Sequence, residues 1–479
     1  MREGSLEAPT RFPIEWQNPW FWDQAALDKE MERVFEICHG CRRCFNLCDS
    51  FPRLFDLIDN GPTGEVDGVK KEDYAQVEEA CTLCDMCFMT KCPYVPPHEW
   101  AVDFPHLLLR YRAVKARREG IDFVNAELAD TDKSGRLGTF AAGLVNWVTD
   151  EKNQAARRTL EKFTGIHHGA RLPRQAGETF EHRAQRERPP LNEAAPAFGK
   201  RKAVLYATCF VNFHNTSVGS AALSVLARNG VATEAVHPAC CGMPKLELGD
   251  LEAVAAAARK VTTELLPWVD QGYDIVALTP SCALMLKFEW PLILPNDPAV
   301  LKLAQATFDI AEYVVDIAKT EGLADGLQPI EGGVTLHLAC HARAQNMGPK
   351  GAEMLRLIPK TRVAVIERCS GHGGIWGARS ENFDTAVKVG KPAAQAALKN
   401  DTSFVASECP LAAGSVRHRR RPAVQRRRGL CRDGSEPLSR GKILRAGSRF
   451  AMREVASAAN AAKPRCGLRD PAAVASAWR

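Results

Sequence analysis

Two runs of cysteines within residues 38–92 constrain this chain more than any other feature. The first run is Cys38-x2-Cys41-x2-Cys44-x3-Cys48, and the second is Cys81-x2-Cys84-x2-Cys87-x4-Cys92. Three cysteines spaced by two residues can wrap one corner of an iron–sulfur cube, and in bacterial proteins with two such cubes the fourth cysteine of each run ligates the other cluster. The spacing predicts two [4Fe–4S] clusters, one on Cys38, Cys41, Cys44 and Cys92 and the other on Cys81, Cys84, Cys87 and Cys48.

Structural zinc and disulfide bonds are the alternatives for these cysteines. Zinc would take four thiolates from paired CxxC motifs and leave the third cysteine of each triplet surplus. Disulfides need an oxidising compartment. The runs also depart from the bacterial pattern. Asp49 follows the first run in place of proline, and four residues separate Cys87 from Cys92 in the second. Both departures change loop geometry, and neither removes a ligand.

Composition limits the compartment and the partners. The chain has no apolar run of about eighteen residues and no apolar segment at its N-terminus, so neither a transmembrane helix nor a signal peptide is predicted. We expect a cytoplasmic protein, with any membrane contact peripheral, at the inner face of the cytoplasmic membrane, or made through a partner.

The net charge of +6 is concentrated in the C-terminal tail. From Leu411 onward the chain has 17 Lys and Arg against 4 Asp and Glu, a balance of +13, which leaves −7 for the rest. The body is therefore mildly acidic, and a nucleic-acid partner is not predicted.

The region around the cysteine runs is predicted to be helical. Leu27, Met31, Val34 and Phe35 recur at helical spacing before the first run, and a second helix precedes Cys81. This is the pattern of an α-helical two-cluster ferredoxin-like domain, which we assign to residues 1–118. Residues 119–200 are expected to form a helical segment, with an amphipathic stretch near Trp147, followed by a polar linker over 166–200.

From Arg201 onward strands alternate with helices, and the strands end at cysteines. One β/α unit over 201–328 carries Cys209, Cys240, Cys241 and Cys282, and a second over 329–412 carries Cys340, Cys369 and Cys409. The cysteines are separated by 31 and 42 residues in the first unit and by 29 and 40 in the second, which indicates an internal repeat. Because open α/β sheets bind ligands at the carboxyl ends of their strands, we expect these cysteines to converge on one rim.

This repeat resembles the cysteine-rich domain with a Cys, CCG, CxxC motif. That domain occurs twice in heterodisulfide reductase subunits and in the iron–sulfur subunits of glycolate oxidase and anaerobic glycerol-3-phosphate dehydrogenase. The order of a two-cluster ferredoxin followed by two such domains is most similar to the last, its C subunit, over residues 30–412. Stretches such as HLACHARAQNMG and CSGHGG are similar to a bacterial heterodisulfide-reductase-related branch. The resemblance implies an α+β multidomain fold with two tandem CCG-type domains.

The seven cysteines of the repeat are the cofactor ligands that the resemblance implies, but the motif is incomplete. Thr279 stands where the first unit would have a further cysteine, and Ser370 and Ala406 replace cysteines in the second. In heterodisulfide reductase such sites hold non-cubane clusters that cleave a disulfide. The missing ligands argue against that chemistry here, while a further ordinary cluster remains an option.

Neighbouring histidines and a glycine-rich loop have competing interpretations. His237, His337, His341 and His372 lie close to the repeat cysteines and either ligate iron or form hydrogen bonds within loops. The stretch over 371–377 lies between a strand and a helix, as a dinucleotide fingerprint would. It has Trp376 where GxGxxG needs glycine, so we favour a loop beside a cluster.

The tail after Ala412 does not continue the domain pattern. Residues 413–479 are rich in arginine and carry two isolated cysteines, Cys431 and Cys466. We favour a frameshift near Ala412, and the alternative is a basic arm for anionic lipid or RNA.

Together these features predict a multi-cluster electron carrier. We expect a non-catalytic subunit that relays electrons between a flavoprotein dehydrogenase, of glycerol-3-phosphate or 2-hydroxy-acid type, and a quinone or other redox protein. The alternatives are a disulfide reductase that acts between the CCG-type domains and a zinc-bound scaffold.

Overall fold

The N-terminal region is helical around its cysteines. A computed structural model describes residues 8–416. The helices here are α1 (Gln24–Cys41), α2 (Ser50–Asp59), α3 (Tyr74–Glu79), α4 (Met86–Thr90) and α5 (Phe104–Glu119), with 3₁₀ turns at Pro19–Trp22, Val66–Gly68 and Lys71–Asp73. Asp23 caps α1 by accepting the Ala26 N–H at 2.6 Å. The helix continues into the first cysteine run, so its last turn carries Cys38 and Cys41.

Aromatic packing holds this region together. The four apolar positions predicted at helical spacing in α1 are all buried. The Phe51 and Phe104 rings stack with centroids 4.6 Å apart, and Phe35 meets Tyr74 edge-on at 5.0 Å. Such pairs add roughly 0.5–1.5 kcal/mol to the burial of the rings. The packing positions both cysteine runs on one small core.

A helical connector follows. Its helices are α6 (Phe123–Ala129), α7 (Thr131–Phe140), α8 (Ala142–Val148), α9 (Gln154–Thr164) and α10 (Phe180–Arg186). The stretch over 166–200 was expected to be a linker, but it contains α10 and packs on the next domain. Phe180 is fully buried there, and Thr179 caps α10 through the His182 N–H. The single buried aromatic makes no periodic pattern, and this is why the contact is not visible in the sequence.

The first β/α domain has a parallel four-stranded sheet in the order β2-β1-β3-β4. Its strands are β1 (Lys202–Tyr206), β2 (Ala232–Val236), β3 (Asp274–Ala277) and β4 (Thr307–Asp309). Its helices are α11 (Cys209–Phe213), α12 (Thr216–Arg228), α13 (Met243–Leu246), α14 (Leu251–Asp270), α15 (Pro280–Leu284), α16 (Trp290–Ile293), α17 (Pro298–Gln305) and α18 (Ile310–Thr320), with a π-helical turn at Met285–Glu289. β4 was not predicted, because three residues are too short for a strand pattern.

The second β/α domain has a parallel three-stranded sheet in the order β6-β5-β7. Its strands are β5 (Val334–His337), β6 (Val363–Ile366) and β7 (Phe404–Ser407), and its helices are α19 (Cys340–Arg343), α20 (Lys350–Arg356) and α21 (Phe383–Lys399), with a 3₁₀ turn at Trp376–Ala378. A helical segment over 410–416 follows β7, and Val416 packs on Ala393 and Ala397. The prediction of a mixed α/β fold with two such domains is confirmed, whereas the predicted frameshifted tail lies largely outside the described residues.

A buried ionic network joins the N-terminal region to the first β/α domain. The Arg11 guanidinium contacts Asp85 at 2.7 Å, Asp103 at 2.9 Å and Glu289 at 3.2 Å. The Glu289 carboxylate also contacts His106 at 3.2 Å. Burial raises the pKa of Glu289, but the charges of His106 and Arg11 lower it more, and the result is about 2. The carboxylate therefore stays ionised inside the interface.

Among residues 8–416, no helix combines the length and the apolar character needed to cross a bilayer.

We predict that Arg11→Ala destabilises the protein by about 3–5 kcal/mol, because it leaves buried carboxylates without their cation. The midpoint of anaerobic urea unfolding measures the loss. The matched control is Lys302→Ala, which removes an ion pair with Asp270 in which both side chains are 54% exposed. That change should cost about 0–1 kcal/mol. Equal midpoints for the two variants would contradict the prediction.

Candidate metal centres

The first cysteine set forms one compact group at the end of α1. Thiol group 1 consists of Cys38, Cys41, Cys44 and Cys92, and all four line one pocket. Burial raises the pKa of Cys38 well above its usual value, and the thiols of Cys92, Cys44 and Cys41 raise it further. Arg42, at φ 50°, turns the chain between Cys41 and Cys44. The structure thus brings together the four residues predicted for one cluster.

The second set also forms one group, named thiol group 2 and made of Cys48, Cys81, Cys84 and Cys87. Burial raises the pKa of Cys87 well above its usual value, and the charges of Cys84, Cys81 and Cys48 add to this effect. Burial likewise raises the pKa of Cys48 to about 12. Leu83 and Asp85, at φ 47° and 63°, provide the tight turns within this run. Cys48 comes from the first run, and the structure brings it together with the three thiols of the second.

Buried groups of four thiols suit a metal cofactor. Burial disfavours the charged form of a thiol, and four neighbouring thiolates in a dry site repel one another. A cation or iron–sulfur cluster would supply the compensating charge and hold the sulfurs as thiolates. The pocket at thiol group 1 and the close grouping of the group 2 thiols fit such a cofactor.

The first β/α domain carries thiol group 3, which consists of Cys209, Cys240, Cys241 and Cys282. The sulfurs of Cys241 and Cys282 lie 3.3 Å apart. The neighbouring thiols of Cys209 and Cys241 hold the pKa of Cys240 well below its usual range. Burial beside these sulfurs raises the pKa of Tyr206 well above its usual value.

Thr279, which stands where the motif has a further cysteine, forms a hydrogen bond instead. Thr279 faces Thr208 across the strand ends, with the two hydroxyl oxygens 2.9 Å apart and both side chains buried. The pair satisfies both polar groups at the base of the site. Thr279 therefore has a structural partner in place of a ligand role.

The connector forms one wall of thiol group 3, a feature that sequence reasoning missed. Asp132 accepts the Cys240 N–H at 2.7 Å and contacts His237 Nε2 at 2.8 Å. Glu181 accepts the His237 N–H at 2.6 Å. These residues lie more than fifty positions from the cysteines they support, in a stretch without a motif. No local signal could have identified them.

The second β/α domain carries thiol group 4, which consists of Cys340, Cys369 and Cys409. Burial raises the pKa of Cys340, and the charges of Cys369 and Cys409 raise it further. The half-buried Glu408 precedes Cys409, and its carboxyl group accepts the Ala339 N–H at 2.9 Å. Burial raises the pKa of Glu408 to about 8. A protonated carboxyl group is thus available beside the sulfurs near neutral pH.

The predicted histidines are held within loops or strand ends. His237 Nδ1 faces the Ala207 carbonyl, and its Nε2 faces Asp132. His337 lies between Ser407 Oγ at 2.9 Å and the Arg368 carbonyl at 2.8 Å. His341 donates to the Leu83 carbonyl at 3.3 Å. For these three the hydrogen-bonding interpretation is favoured over iron ligation.

The glycine-rich loop over 371–377 packs against thiol group 2. Trp376 Nε1 donates to the Glu79 carbonyl at 2.8 Å. A Cβ on Gly373, which has φ +53°, would lie 2.7 Å from Thr82 Cγ2. Glycine is therefore required for close approach to the second cysteine run. This contact explains the loop better than a dinucleotide site does.

The four thiol groups form a continuous series. The charge of Cys44 in group 1 raises the pKa of Cys87 in group 2. The charges of Cys340 and Cys369 in group 4 raise the pKa of Cys84 in group 2. The charge of Cys282 in group 3 raises the pKa of Cys409 in group 4. Helix α15, which carries Cys282, packs on α19, which carries Cys340, and α19 packs on α4, which carries Cys87. The groups therefore follow one another in the order 1, 2, 4, 3.

Comparison with known proteins agrees with this architecture. The profile of the CCG family, described as "Cysteine-rich domain", matches residues 203–287 and 334–414. The chain is 30% identical to lactate utilization protein A of Bacillus cereus (strain G9842) over 183 residues, which cover 36% of this chain and 73% of that protein. It is 27% identical to lactate utilization protein A of Bacillus thuringiensis (strain Al Hakam) over 208 residues, which cover 40% and 83%.

We predict that Asp132→Ala destabilises the protein by about 1–3 kcal/mol, because the Cys240 N–H and His237 lose a buried partner. Asp132→Asn keeps an acceptor for the Cys240 N–H and should retain most of the stability. Urea unfolding of both variants under anaerobic conditions measures the difference. Equal losses for the two would show that the hydrogen bond to Cys240 does not contribute.

Proposed function

The chain belongs to the family of lactate utilization protein A, whose members carry the CCG cysteine-rich domain, and from this premise we propose that it is an electron-relay subunit. Its general role is iron–sulfur electron transfer associated with an oxidoreductase. In the proposed complex it takes electrons from a flavoprotein dehydrogenase and passes them to a quinone or another redox protein. The dehydrogenase is a separate subunit.

The proposed cofactors of the N-terminal region are two [4Fe–4S] clusters in a ferredoxin-type domain over residues 1–118. Thiol group 1 would hold one and thiol group 2 the other. The grouping of Cys92 with the first run and of Cys48 with the second supports this assignment. When bound, the clusters supply reversible one-electron chemistry, and the protein sets their potential by burial and by hydrogen bonds to sulfur.

The continuous series of thiol groups is the observation that carries the proposal. A relay needs successive redox centres close to one another, and the charges of groups 1, 2, 4 and 3 act on their neighbours in that order. The loop over 371–377 and the His341–Leu83 contact hold groups 2 and 4 side by side. On this proposal, the N-terminal clusters form one end of the path and thiol group 3 forms the other.

The substrate of the proposed complex is a 2-hydroxy acid. The relatives are named for lactate utilization, and lactate is a 2-hydroxy acid. This favours a 2-hydroxy-acid dehydrogenase over a glycerol-3-phosphate dehydrogenase as the electron donor. Contact with a membrane quinone would be peripheral or through a partner subunit.

Thiol groups 3 and 4 would hold a further iron–sulfur cofactor with an electron-transfer role. Group 3 has four thiols and can provide a complete ligand set. Group 4 has three, because Ala406 lies within β7 and Ser370 replaces the second cysteine of its CCG motif. This incomplete set argues against a disulfide-cleaving site between the domains.

We predict that anaerobically purified protein contains about eight irons in the N-terminal domain, with an equal amount of acid-labile sulfide. Cys92→Ser and Cys48→Ser should each remove about four irons, since each removes a ligand of a different cluster. Electron paramagnetic resonance after dithionite reduction should change from an interacting pair of signals to a single one in each variant.

Cys209→Ser is the control for these variants, since it should leave the N-terminal irons and their signals unchanged. Any iron above eight that this control loses belongs to thiol group 3. Zinc in place of iron would overturn the proposed function, and thiol-dependent disulfide reduction by the isolated chain would favour the reductase alternative.

A further inference from the structure

We propose that Glu161, His167 and His168 form a binding site for one divalent transition-metal ion, with Zn²⁺ as the expected occupant. One ligand atom from each residue can be chosen so that all three lie within 4.8 Å of one another. The site lies where the connector meets the second β/α domain, and it is separate from the four thiol groups. It does not depend on the proposed electron-relay function.

Hydrogen bonds hold the backbone on the connector side of the site. α9 ends at Thr164, and Gly165, with φ +66°, turns the chain into the histidine pair. Arg157 of α9 is 1% exposed, and its guanidinium donates to the carbonyl oxygens of His167 at 3.0 Å and His168 at 3.2 Å. A buried cation therefore fixes the backbone that carries both imidazoles. Such pre-organisation lowers the entropy cost of binding an ion.

The second β/α domain supplies the other side. The His167 N–H donates to the Ala378 carbonyl at 2.8 Å, and the Ser380 N–H donates to the Gly165 carbonyl at 2.8 Å. The His167 ring stacks on Phe383 with centroids 4.0 Å apart. The imidazole of His167 is thus oriented by a residue more than two hundred positions away.

The donor set has the chemistry of a zinc site. Two imidazoles and one carboxylate are the protein ligands of many catalytic zinc centres, which leave a fourth position for water. Mg²⁺ and Ca²⁺ prefer sites made only of oxygen ligands. Ser380 Oγ donates to Glu161 Oε1 at 2.7 Å, which leaves Oε2 directed at His168. Hydrogen bonds of this kind orient ligating carboxylates in known metal sites.

A hydrogen-bonded cluster without an ion is the competing interpretation. His168 Nδ1 lies 2.8 Å from Glu161 Oε2, and the Gly169 N–H donates to His167 Nδ1 at 3.0 Å. An ion would take over at least the first of these contacts. The two interpretations differ in zinc content, so they can be separated directly.

Zinc titration of the cluster-loaded protein tests the proposal. We expect one Zn²⁺ per chain that resists dialysis and leaves the iron content unchanged. X-ray absorption at the zinc edge should show only nitrogen and oxygen ligands at about 2.0–2.2 Å, without the sulfur ligands at about 2.3 Å that cysteine binding would give.

Three substitutions locate the ion. Glu161→Gln retains an oxygen for Ser380 but removes the charge of the ligand. Glu161→Gln and His168→Ala, each tested as a single substitution, should abolish stable zinc binding. Ser380→Ala should weaken the affinity for zinc about 10–100-fold, as expected for a residue that orients a ligand. His182→Ala is the control, because His182 is an exposed histidine of α10 that contacts a single carboxylate among residues 8–416, that of Glu178 at 3.8 Å.

Iron content and circular dichroism matching the unsubstituted protein show that each variant is folded. If His168→Ala does not fold, the isosteric Glu161→Gln decides the question. The proposal would be overturned if the zinc were bound through sulfur or if no zinc were retained. It would also be overturned if Glu161→Gln retained as much zinc as the unsubstituted protein.

Discussion

The structure depends on burying cysteine thiols in groups. Burial and neighbouring sulfurs raise the pKa of Cys38, Cys84 and Cys87 well above the usual value. An apolar core gains nothing from sulfurs placed next to one another in this way, and it would be as stable with ordinary apolar side chains. The thiols therefore make physical sense as ligands, and the surrounding helices and sheets serve to hold them in place.

Contacts between the domains turn separate ligand sets into a series. The Arg11 network fastens the N-terminal region to the first β/α domain through buried charges. The loop over 371–377 fastens the same region to the second domain, and Gly373 allows the close approach. Because both contacts lie at the second cysteine run, thiol group 2 becomes the junction between the N-terminal region and the two domains.

The connector has more than a spacing role. Asp132 completes the surroundings of thiol group 3, and Arg157 fixes the loop that carries His167 and His168. Both side chains bind backbone groups, which every residue carries, so these contacts leave no recognisable motif in the sequence. A chain segment without a motif can thus contribute to two sites.

The sequence by itself determined which residues are ligand candidates and which elements carry them. The two-residue gaps between cysteines and the strands that end at cysteines are local patterns. Local patterns can be recognised directly in the sequence. The two β/α units and the helical cysteine-rich region were predicted from these patterns, and the CCG type of the units was implied by the resemblance. Only the tertiary structure decided that Cys84 lies beside Cys340, that Asp132 supports Cys240 and that Glu161 meets His168. These contacts join distant or unpatterned segments, and their geometry follows from how helices and sheets pack, which no local spacing encodes.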